Sequence, residues 1–324
     1  MKAVMCKGFG PPESLVIETL PDPTPGTGEV VVDVAFVGLN FFDTLIIQNK
    51  YQIKPPLPFS PASEFSGRIS ALGEGVSDFK AGDRVCGSLG FGAARSKVVV
   101  KPAQIYPIPD GLSDEKAAGL IITYGTSHHA LKQRARLKAG ETMAVLGASG
   151  GVGIAAVELG ALMGARVIAC ASSPDKIAFT RRHGAAEGVD YSRSDLKEEL
   201  RRLTGGKGVD VVYDPVGGEY AEQALRAMAW MGRFLVIGFA AGPIPKIPLN
   251  IPLLKSLDVL GVYWGAWTQA DPAAHRENMA ELLAWARDGK LAAHTHAVVP
   301  LEQAAEGIAM LARREAQGKV LLKV

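Results

Sequence analysis

The chain has 324 residues, 48% of them hydrophobic and 21% charged, and its formal net charge is +2. A charge so close to neutral does not favour nucleic acid or an anionic membrane as the main partner, and no apolar run reaches the length of a membrane span. The length predicts about two domains. Cys6, Cys86 and Cys170 are odd in number and widely spaced, so we expect buried, reduced thiols and a reducing compartment such as the cytoplasm.

The first 118 residues carry short β-like runs that glycine and proline separate from one another. These runs are Lys2–Cys6, Glu29–Leu39, Phe65–Leu72, Arg84–Cys86 and Ser96–Val100. The pattern predicts a mostly β domain.

From about residue 117 to residue 265, apolar runs alternate with segments of helical periodicity. The predicted strands are Thr142–Leu146, Arg166–Ala171, Gly188–Asp190, Val209–Tyr213, Arg233–Gly238 and Val259–Tyr263. The clearest helical segments are Asp175–Arg182, Asp195–Leu203 and Glu219–Met231. Repeated βα units of this kind predict a parallel sheet with helices on both faces.

The tail of the chain, from about residue 266, is too small to form a domain by itself. Its predicted elements are a helix at Ala274–Asp288, a strand at His294–Val299, a helix at Leu301–Arg314 and a strand at Lys319–Val324. We expect this tail to fold back onto the first part of the chain. The predicted domains are therefore 1–118 plus 266–324, and 119–265.

A glycine-rich turn, Gly-Ala-Ser-Gly-Gly-Val-Gly at 147–153, follows the first strand of the α/β part and opens a helical segment. Strand, turn, helix and second strand follow in the order that a dinucleotide-binding unit requires. Gly150 lets the backbone approach a pyrophosphate, and Gly153 lets the helix lie close to the strand, while free N–H groups at the helix start favour phosphate. The residues predicted to contact the cofactor here are Ala148, Ser149, Gly150, Gly151, Val152 and Gly153.

The end of the second strand distinguishes NADH from NADPH. NADH enzymes place Asp or Glu there to bind the ribose 2′-hydroxyl, whereas this chain has Ala171, Ser172 and Ser173, with Lys176 one helical turn further on. Hydroxyls and an ammonium suit a 2′-phosphate better than a diol, so we predict NADPH as the cofactor. The two serines also fit the cap of a helix that begins at Pro174.

Six short motifs follow one another along the chain in a specific order and spacing. They are Asn-Phe-Phe-Asp at 40–43, Pro-Ala-Ser-Glu-Phe-Ser-Gly at 61–67, Lys-Ala-Gly-Asp-Arg-Val at 80–85, Tyr-Gly-Thr at 124–126, the glycine turn at 147–153, and Asp-Pro-Val-Gly-Gly at 214–218. With them the chain resembles, nearly end to end, the zinc-independent quinone oxidoreductases, the zeta-crystallin-like branch of the medium-chain dehydrogenase/reductase superfamily.

The resemblance implies an α/β fold in which a Rossmann domain with a doubly wound parallel sheet is inserted in a GroES-like, mostly β catalytic domain. It also implies a cleft between the two domains and a homodimer formed through the Rossmann domains.

The sequence lacks the metal ligands of related zinc enzymes. Zinc alcohol dehydrogenases of the superfamily carry Cys and His near the positions of Asn40 and Ala62, and a four-cysteine cluster for structural zinc. Three scattered cysteines cannot form that tetrahedral site. His294 and His296 share one face of a predicted strand, but no third ligand is visible. We therefore predict no metal.

Without a metal, hydride must pass directly to an acceptor that is already electron-poor. Quinones and α,β-unsaturated carbonyls meet this requirement, because the negative charge spreads onto an oxygen that needs only a hydrogen bond and a proton. The predicted activity is NADPH-dependent reduction of such an acceptor. An enoyl-thioester reductase of the same superfamily and a non-catalytic NADPH-binding protein are the alternatives.

The resemblance also implies two residues beside the reacting groups. Asn40 is expected next to the nicotinamide, where its amide would hold the ring or the substrate oxygen; a turn asparagine fits equally well. Tyr51 corresponds to a tyrosine that lines the substrate pocket and donates a proton in related enoyl reductases. A packed loop tyrosine is the alternative.

Further cofactor contacts are implied with the diphosphate, the nicotinamide ribose and the adenosine. These contacts are assigned to Thr126, Gly238, Phe239, Ala240 and Tyr191. Arg314 is expected to reach the 2′-phosphate, although the adjacent Arg313 would serve the same position.

Overall fold

The computed structural model describes residues 1–324, which divide into two compact units. Unit 1 comprises Met1–Ile122, Met279–Gly289 and Ala293–Val324, and unit 2 comprises Thr123–Asn278 and Lys290–Ala292. None of the helices combines the length and the apolar character that a membrane crossing requires.

Strands are concentrated in unit 1, whereas strands and helices alternate in unit 2. The strands are β1 (Lys2–Met5), β2 (Val16–Thr19), β3 (Val30–Leu39), β4 (Glu64–Leu72), β5 (Arg84–Ser88), β6 (Lys97–Val100), β7 (Ile105–Pro107), β8 (Thr142–Leu146), β9 (Arg166–Ala171), β10 (Glu187–Asp190), β11 (Val209–Asp214), β12 (Met228–Val236), β13 (Asp258–Gly261), β14 (Thr295–Pro300) and β15 (Lys319–Lys323). The α-helices are α1 (Phe41–Ile46), α2 (Asp114–Ala118), α3 (Ile121–His129), α4 (Gly151–Leu162), α5 (Pro174–Arg182), α6 (Leu196–Leu203), α7 (Gly218–Arg226), α8 (Asn250–Lys255), α9 (Trp264–Ala270), α10 (Pro272–Arg287) and α11 (Ala304–Ala312).

Unit 1 is built around a seven-stranded sheet in the order β14-β15-β3-β4-β5-β7, with β6 also paired to β3. Its strands pair antiparallel except for β14 and β15, which run parallel. β15 pairs with β3, where Val320 lies opposite Leu39. The tail therefore folds back onto the first part of the chain. Alternate residues of β3, such as Val30 and Val32, belong to the buried core of this unit.

Unit 2 contains a six-stranded parallel sheet in the order β10-β9-β8-β11-β12-β13. The chain enters the sheet at β8, moves outward to β9 and β10, and then returns to the opposite side of β8 at β11. The strand order therefore reverses between β8 and β11. In open α/β sheets the carboxyl ends of the strands at such a reversal form the ligand-binding crevice. The predicted parallel sheet is confirmed.

The prediction of one helix over Glu219–Met231 is wrong in its C-terminal part. α7 ends at Arg226, and β12 begins at Met228, although the sequence predicts a strand only from Arg233. The alanines and methionines of this segment favour a helix, but Met228 pairs in parallel with Val209 of β11. Sheet pairing outweighs the local helix propensity here.

Candidate functional site

The glycine turn lies at the carboxyl end of β8 and leads directly into α4. Gly147 has a φ of 55°, which turns the chain away from the strand, and Gly150 caps the helix in an extended conformation. The first N–H groups of a helix have no carbonyl partner within it, and the helix dipole makes this end attractive to anions. The turn therefore forms an anion-binding edge at the point where the strand order reverses.

The two functional glycines of the turn meet different surroundings. A Cβ on Gly153 would lie 2.2 Å from the carbonyl oxygen of Gly147 and 2.9 Å from the Cα of Ala148, so the fold itself requires glycine there. A Cβ on Gly150 would come no closer than 3.5 Å to any neighbour, and its backbone conformation is one that any residue adopts. The fold therefore does not explain why Gly150 lacks a side chain.

A second turn, at the end of β11, packs beside the glycine turn. The Asp214 carboxylate accepts hydrogen bonds from the N–H groups of Val216 and Gly217, both at 2.8 Å. Burial raises the pKa of Asp214 to about 6. The Val216 side chain covers the turn, because a Cβ on Gly147 would lie 2.8 Å from its Cγ2. Asp214 therefore holds the conformation of this turn through its hydrogen bonds.

The loop after β12 is attached to this second turn. The N–H of Gly238 donates to the carbonyl of Asp214 at 3.3 Å, and that of Ala240 donates to the carbonyl of Pro215 at 3.0 Å. Phe239 lies over Gly217, whose Cβ would be 2.9 Å from the Phe239 ring. The structure therefore brings the residues at 238–240 to the same edge of the sheet as the glycine turn.

The residues at the end of β9 divide into a helix cap and a surface pair. Ala171 is buried, and the Oγ of Ser173 accepts a hydrogen bond from the Lys176 N–H and so caps α5. Ser172 is exposed, and its Oγ accepts a hydrogen bond from the Lys176 ammonium at 3.3 Å. Capping therefore accounts for Ser173, whereas Ser172 and Lys176 form a polar pair at the carboxyl edge of the sheet.

Tyr191 lies next to the same strand end. Its N–H donates to the carbonyl of Ala171 at 3.2 Å, and its ring lies against that of Tyr220, with 4.4 Å between the centroids. Tyr220 comes from α7, and nothing in the local sequence pattern indicates this aromatic pair.

Thr126 lies on α3, half-buried, beside a residue that holds this helix to α4. The Ser127 hydroxyl donates to the carbonyl of Val152 at 3.0 Å and shares a hydrogen bond with the Tyr213 hydroxyl at 2.8 Å. Ser127 is fully buried. Ser127, for which the sequence offers no signal, thus places the neighbouring Thr126 next to the start of α4.

In unit 1, the side chain of Asn40 is held by two charged residues. Its Nδ2 donates to the Glu64 carboxylate at 2.9 Å, and its Oδ1 accepts from the Lys319 ammonium at 2.9 Å. Its N–H donates to the Asp43 carboxylate at 2.8 Å, which also accepts from the N–H of Ala62. Burial raises the pKa of Asp43 to about 7. Asn40 is therefore part of a buried network, to which Lys319 contributes without any sequence signal.

Tyr51 and Arg314 occupy half-buried and exposed positions of unit 1. The Tyr51 ring stacks on Phe42, with 5.3 Å between the centroids and 19° between the planes. Arg314 lies in the turn after α11 with a φ of 59°. The neighbouring Arg313 forms ion pairs with two glutamates, Glu306 and Glu315.

Two family models match the chain. The model described as "Alcohol dehydrogenase GroES-like domain" matches residues 26–110, and the model described as "Zinc-binding dehydrogenase" matches residues 151–286. The expected combination of a GroES-like part and a Rossmann parallel sheet is thereby confirmed.

Relatives align with the chain over nearly its whole length. It is 38% identical to "Quinone oxidoreductase-like protein 2" of Rattus norvegicus, over 100% of this chain and 92% of the relative. It is 34% identical to "Quinone oxidoreductase" of Pseudomonas aeruginosa, over 99% of both chains. The crystal structure of Escherichia coli quinone oxidoreductase complexed with NADPH superposes with a TM-score of 0.94, at 28% identity and 100% coverage of both chains.

The second model description implies zinc, and the side chains present do not fit one. No three His, Cys, Asp or Glu side chains lie where they would hold a metal ion together, and the three cysteines are buried thiols. Beside Asn40, the ammonium of Lys319 already contacts Glu64 at 2.5 Å. A metal cation placed there would meet a like charge in a buried setting.

We expect Gly153→Ala to destabilise unit 2, because the added Cβ would collide with the carbonyl of Gly147. The free energy of unfolding should fall by about 3 kcal/mol or more, measured by urea denaturation followed by circular dichroism. Gly150→Ala is the matched control, and it should cost about 1 kcal/mol, the typical cost of alanine at a helix N-cap. Equal losses in the two variants would contradict the assignment of the close contact to Gly153.

Proposed function

The chain belongs to the quinone oxidoreductase branch of the medium-chain dehydrogenase/reductase superfamily, and from this premise we propose that it is a zinc-independent, NADPH-dependent reductase of quinones or α,β-unsaturated carbonyls. The observation that carries the proposal is that the glycine turn after β8 and the Ser172–Lys176 pair after β9 lie at the same carboxyl edge of the sheet, and that the end of β9 lacks the acid of an NADH enzyme. The open space at Gly150 supports it, because a side chain is missing there without a need of the fold.

Bound NADPH supplies a hydride from its nicotinamide ring. The residues at 148–153 and the N-terminus of α4 would hold its diphosphate, and Ser172 and Lys176 would bind the 2′-phosphate through a hydroxyl and a charged hydrogen bond. Arg314 is the preferred second cation by the family resemblance, and the adjacent Arg313 is the alternative. The remaining contacts are assigned to Thr126, Tyr191, Gly238, Phe239 and Ala240.

Reduction of a quinone or an enone places negative charge on the acceptor oxygen, which the protein must stabilise and protonate. Asn40 offers a hydrogen bond from Nδ2, and the hydroxyl of Tyr51 offers a proton to that oxygen. A Lewis acid is not needed, since these acceptors are electron-poor before hydride arrives. Asn40 therefore orients the acceptor, and Tyr51 supplies the proton that the acceptor oxygen takes up.

We expect the purified protein to oxidise NADPH when quinones or enones are present, followed by the loss of NADPH absorbance. Tyr51→Phe keeps the ring that stacks on Phe42 and removes only the hydroxyl. The kcat with an enone should fall about 100-fold or more if the hydroxyl acts as a general acid, and the melting temperature measures how far the loss of the hydroxyl affects the fold. An unchanged kcat would remove Tyr51 from the mechanism.

The same assay separates the proposed function from the two alternatives. Turnover restricted to enoyl-CoA would identify a thioester reductase. Tight NADPH binding, measured by calorimetry, with no turnover of quinones, enones or enoyl-CoA would identify a non-catalytic protein.

The choice of NADPH over NADH is tested at Lys176. Lys176→Met removes the ammonium, and the ratio of kcat/KM for NADPH to that for NADH should fall about 10- to 100-fold, as expected for the loss of one charged hydrogen bond. Lys176→Arg keeps the charge and should retain most of the ratio. Only the kcat/KM for NADPH should fall, and the kcat/KM for NADH should be unchanged. A wild-type enzyme that uses both cofactors with equal efficiency would contradict the assignment.

The proposal extends to assembly, because unit 2 exposes apolar side chains on β12, on α8 and on and next to β13. β13 is the outermost strand there, and an unpaired strand edge offers free N–H and C=O groups. Leu249 is 82% exposed and Trp230 is 67% exposed. The other members of this surface are Leu253, Leu254, Val259 and Tyr263. A second copy of the chain binds here, giving a homodimer through the Rossmann units.

We expect the double variant Leu253→Lys/Val259→Lys to be monomeric, because it places two charges in this surface. Sedimentation velocity at micromolar concentration measures the change. Leu162→Lys, at the end of α4, is the control: it also replaces an exposed leucine of unit 2, and it should remain dimeric. A wild-type protein that sediments as a monomer would contradict the proposed dimer.

A further inference from the structure

A buried ion pair in unit 1 is hydrogen-bonded to both ends of the Asn40 side-chain amide. We propose that Glu64 and Lys319 are positioning residues that select one of the two flip orientations of the Asn40 carboxamide, so that Asn40 presents an N–H of Nδ2 to the bound nicotinamide or the acceptor oxygen. The inference rests on the proposed function for the role of Asn40. It adds two residues to the reductase site that neither touch the substrate nor transfer a proton.

The hydrogen bonds of the Lys319 ammonium use all three of its protons. Nζ donates to the carbonyl of Leu39 at 2.7 Å, to Oδ1 of Asn40 at 2.9 Å and to Oε1 of Glu64 at 2.5 Å. The side chain of Lys319 is 5% exposed and that of Glu64 is 0% exposed. No water is therefore needed to satisfy the ammonium, and its position is set by protein atoms alone.

The two charges distinguish the two ends of the Asn40 amide. Oδ1 faces the ammonium, which only donates hydrogen bonds, and Nδ2 faces the carboxylate, which only accepts them. A flipped amide would place a donor against Lys319 and an acceptor against Glu64, so both hydrogen bonds would be lost together. One N–H of Nδ2 is left over for a ligand.

The network is itself fixed to the backbone. The second oxygen of Glu64 accepts a hydrogen bond from the N–H of Ile122 at 2.8 Å. Two glycines make room for the side chains: a Cβ on Gly38 would lie 2.6 Å from Oε1 of Glu64, and a Cβ on Gly119 would lie 3.2 Å from Cγ of Lys319. The backbone groups of Ile122 and Leu39 therefore hold the two charged ends in place, and the glycines provide the space that the side chains occupy.

Stability alone does not account for this arrangement. A buried ion pair repays its desolvation poorly, and apolar residues of similar volume often serve the fold as well. Here Lys319 donates a hydrogen bond to Oδ1 of Asn40 and Glu64 accepts one from Nδ2 of the same amide, which a purely structural pair does not require. The geometry indicates that the role of the ion pair is to orient the Asn40 amide.

The double variant Glu64→Gln/Lys319→Met tests the proposal, because it removes both charges of the pair together. The matched control is Arg84→Met/Asp114→Asn, which removes another ion pair of unit 1 that does not contact Asn40. Each protein is measured for melting temperature, NADPH dissociation constant, and kcat and KM with a quinone. Each is also compared with and without the Asn40→Ala substitution.

We expect the Glu64→Gln/Lys319→Met variant to lose roughly 10- to 100-fold in kcat, the range for a misplaced reacting group, while the control retains wild-type kcat. Addition of Asn40→Ala should cause no further loss, because the pair acts through that amide. Wild-type kcat, or a further loss that multiplies the first, would overturn the proposal.

A second measurement does not depend on turnover. In protein labelled with 15N-asparagine, the side-chain amide of Asn40, assigned by its disappearance in Asn40→Ala, should give one sharp pair of resonances. In the Glu64→Gln/Lys319→Met variant this pair should broaden or double as the amide samples both orientations. A single sharp pair in that variant would overturn the positioning role. If no acceptor is turned over by the wild type, the proposed function fails and this measurement still decides the role of the pair.

Discussion

The contact between the start of α4 and the carbonyl of Gly147 determines the geometry of the carboxyl edge of the unit 2 sheet, where the glycine turn lies. Because Gly153 has no side chain, the helix lies against the turn and its free N–H groups point past the end of β8. The Asp214 turn packs on Gly147, and the loop at 238–240 is hydrogen-bonded to that turn. Three loops on three neighbouring strands thus take their positions from one close backbone contact.

Much of the fold of unit 2 can be predicted from the sequence, because its buried strands are short apolar runs bounded by glycine and polar residues. The bounds of β8 and β9 coincide with the prediction. The helices α1 and α8 have six residues each, too few for a helical period to appear. The prediction that the helix α7 continues into β12 is wrong for another reason, because local propensity carries no information about the pairing of Met228 with Val209.

The candidate site divides in the same way between local and distant determinants. The glycine turn and the serines after β9 are local features, and their sequence suffices to predict a nucleotide-binding site at the carboxyl ends of β8 and β9. The structure adds that Ser173 caps a helix while Ser172 faces the surface. The environment of Asn40 is different, because its partner Lys319 lies 279 positions away. A charge brought that far by sheet pairing leaves no periodicity or motif in the sequence.

The separation of 255 positions between Glu64 and Lys319 also has a consequence for how the protein is made in a cell. At translation rates of about 5–20 residues per second, β4 emerges from the ribosome on the order of ten to fifty seconds before β15. During that interval the stretch of β3 that β15 later covers has an open edge, and Glu64 has no counter-ion. The strands β8–β13 are contiguous in the chain. All strands of the unit 2 sheet are therefore synthesised before β15, the last strand of the unit 1 sheet.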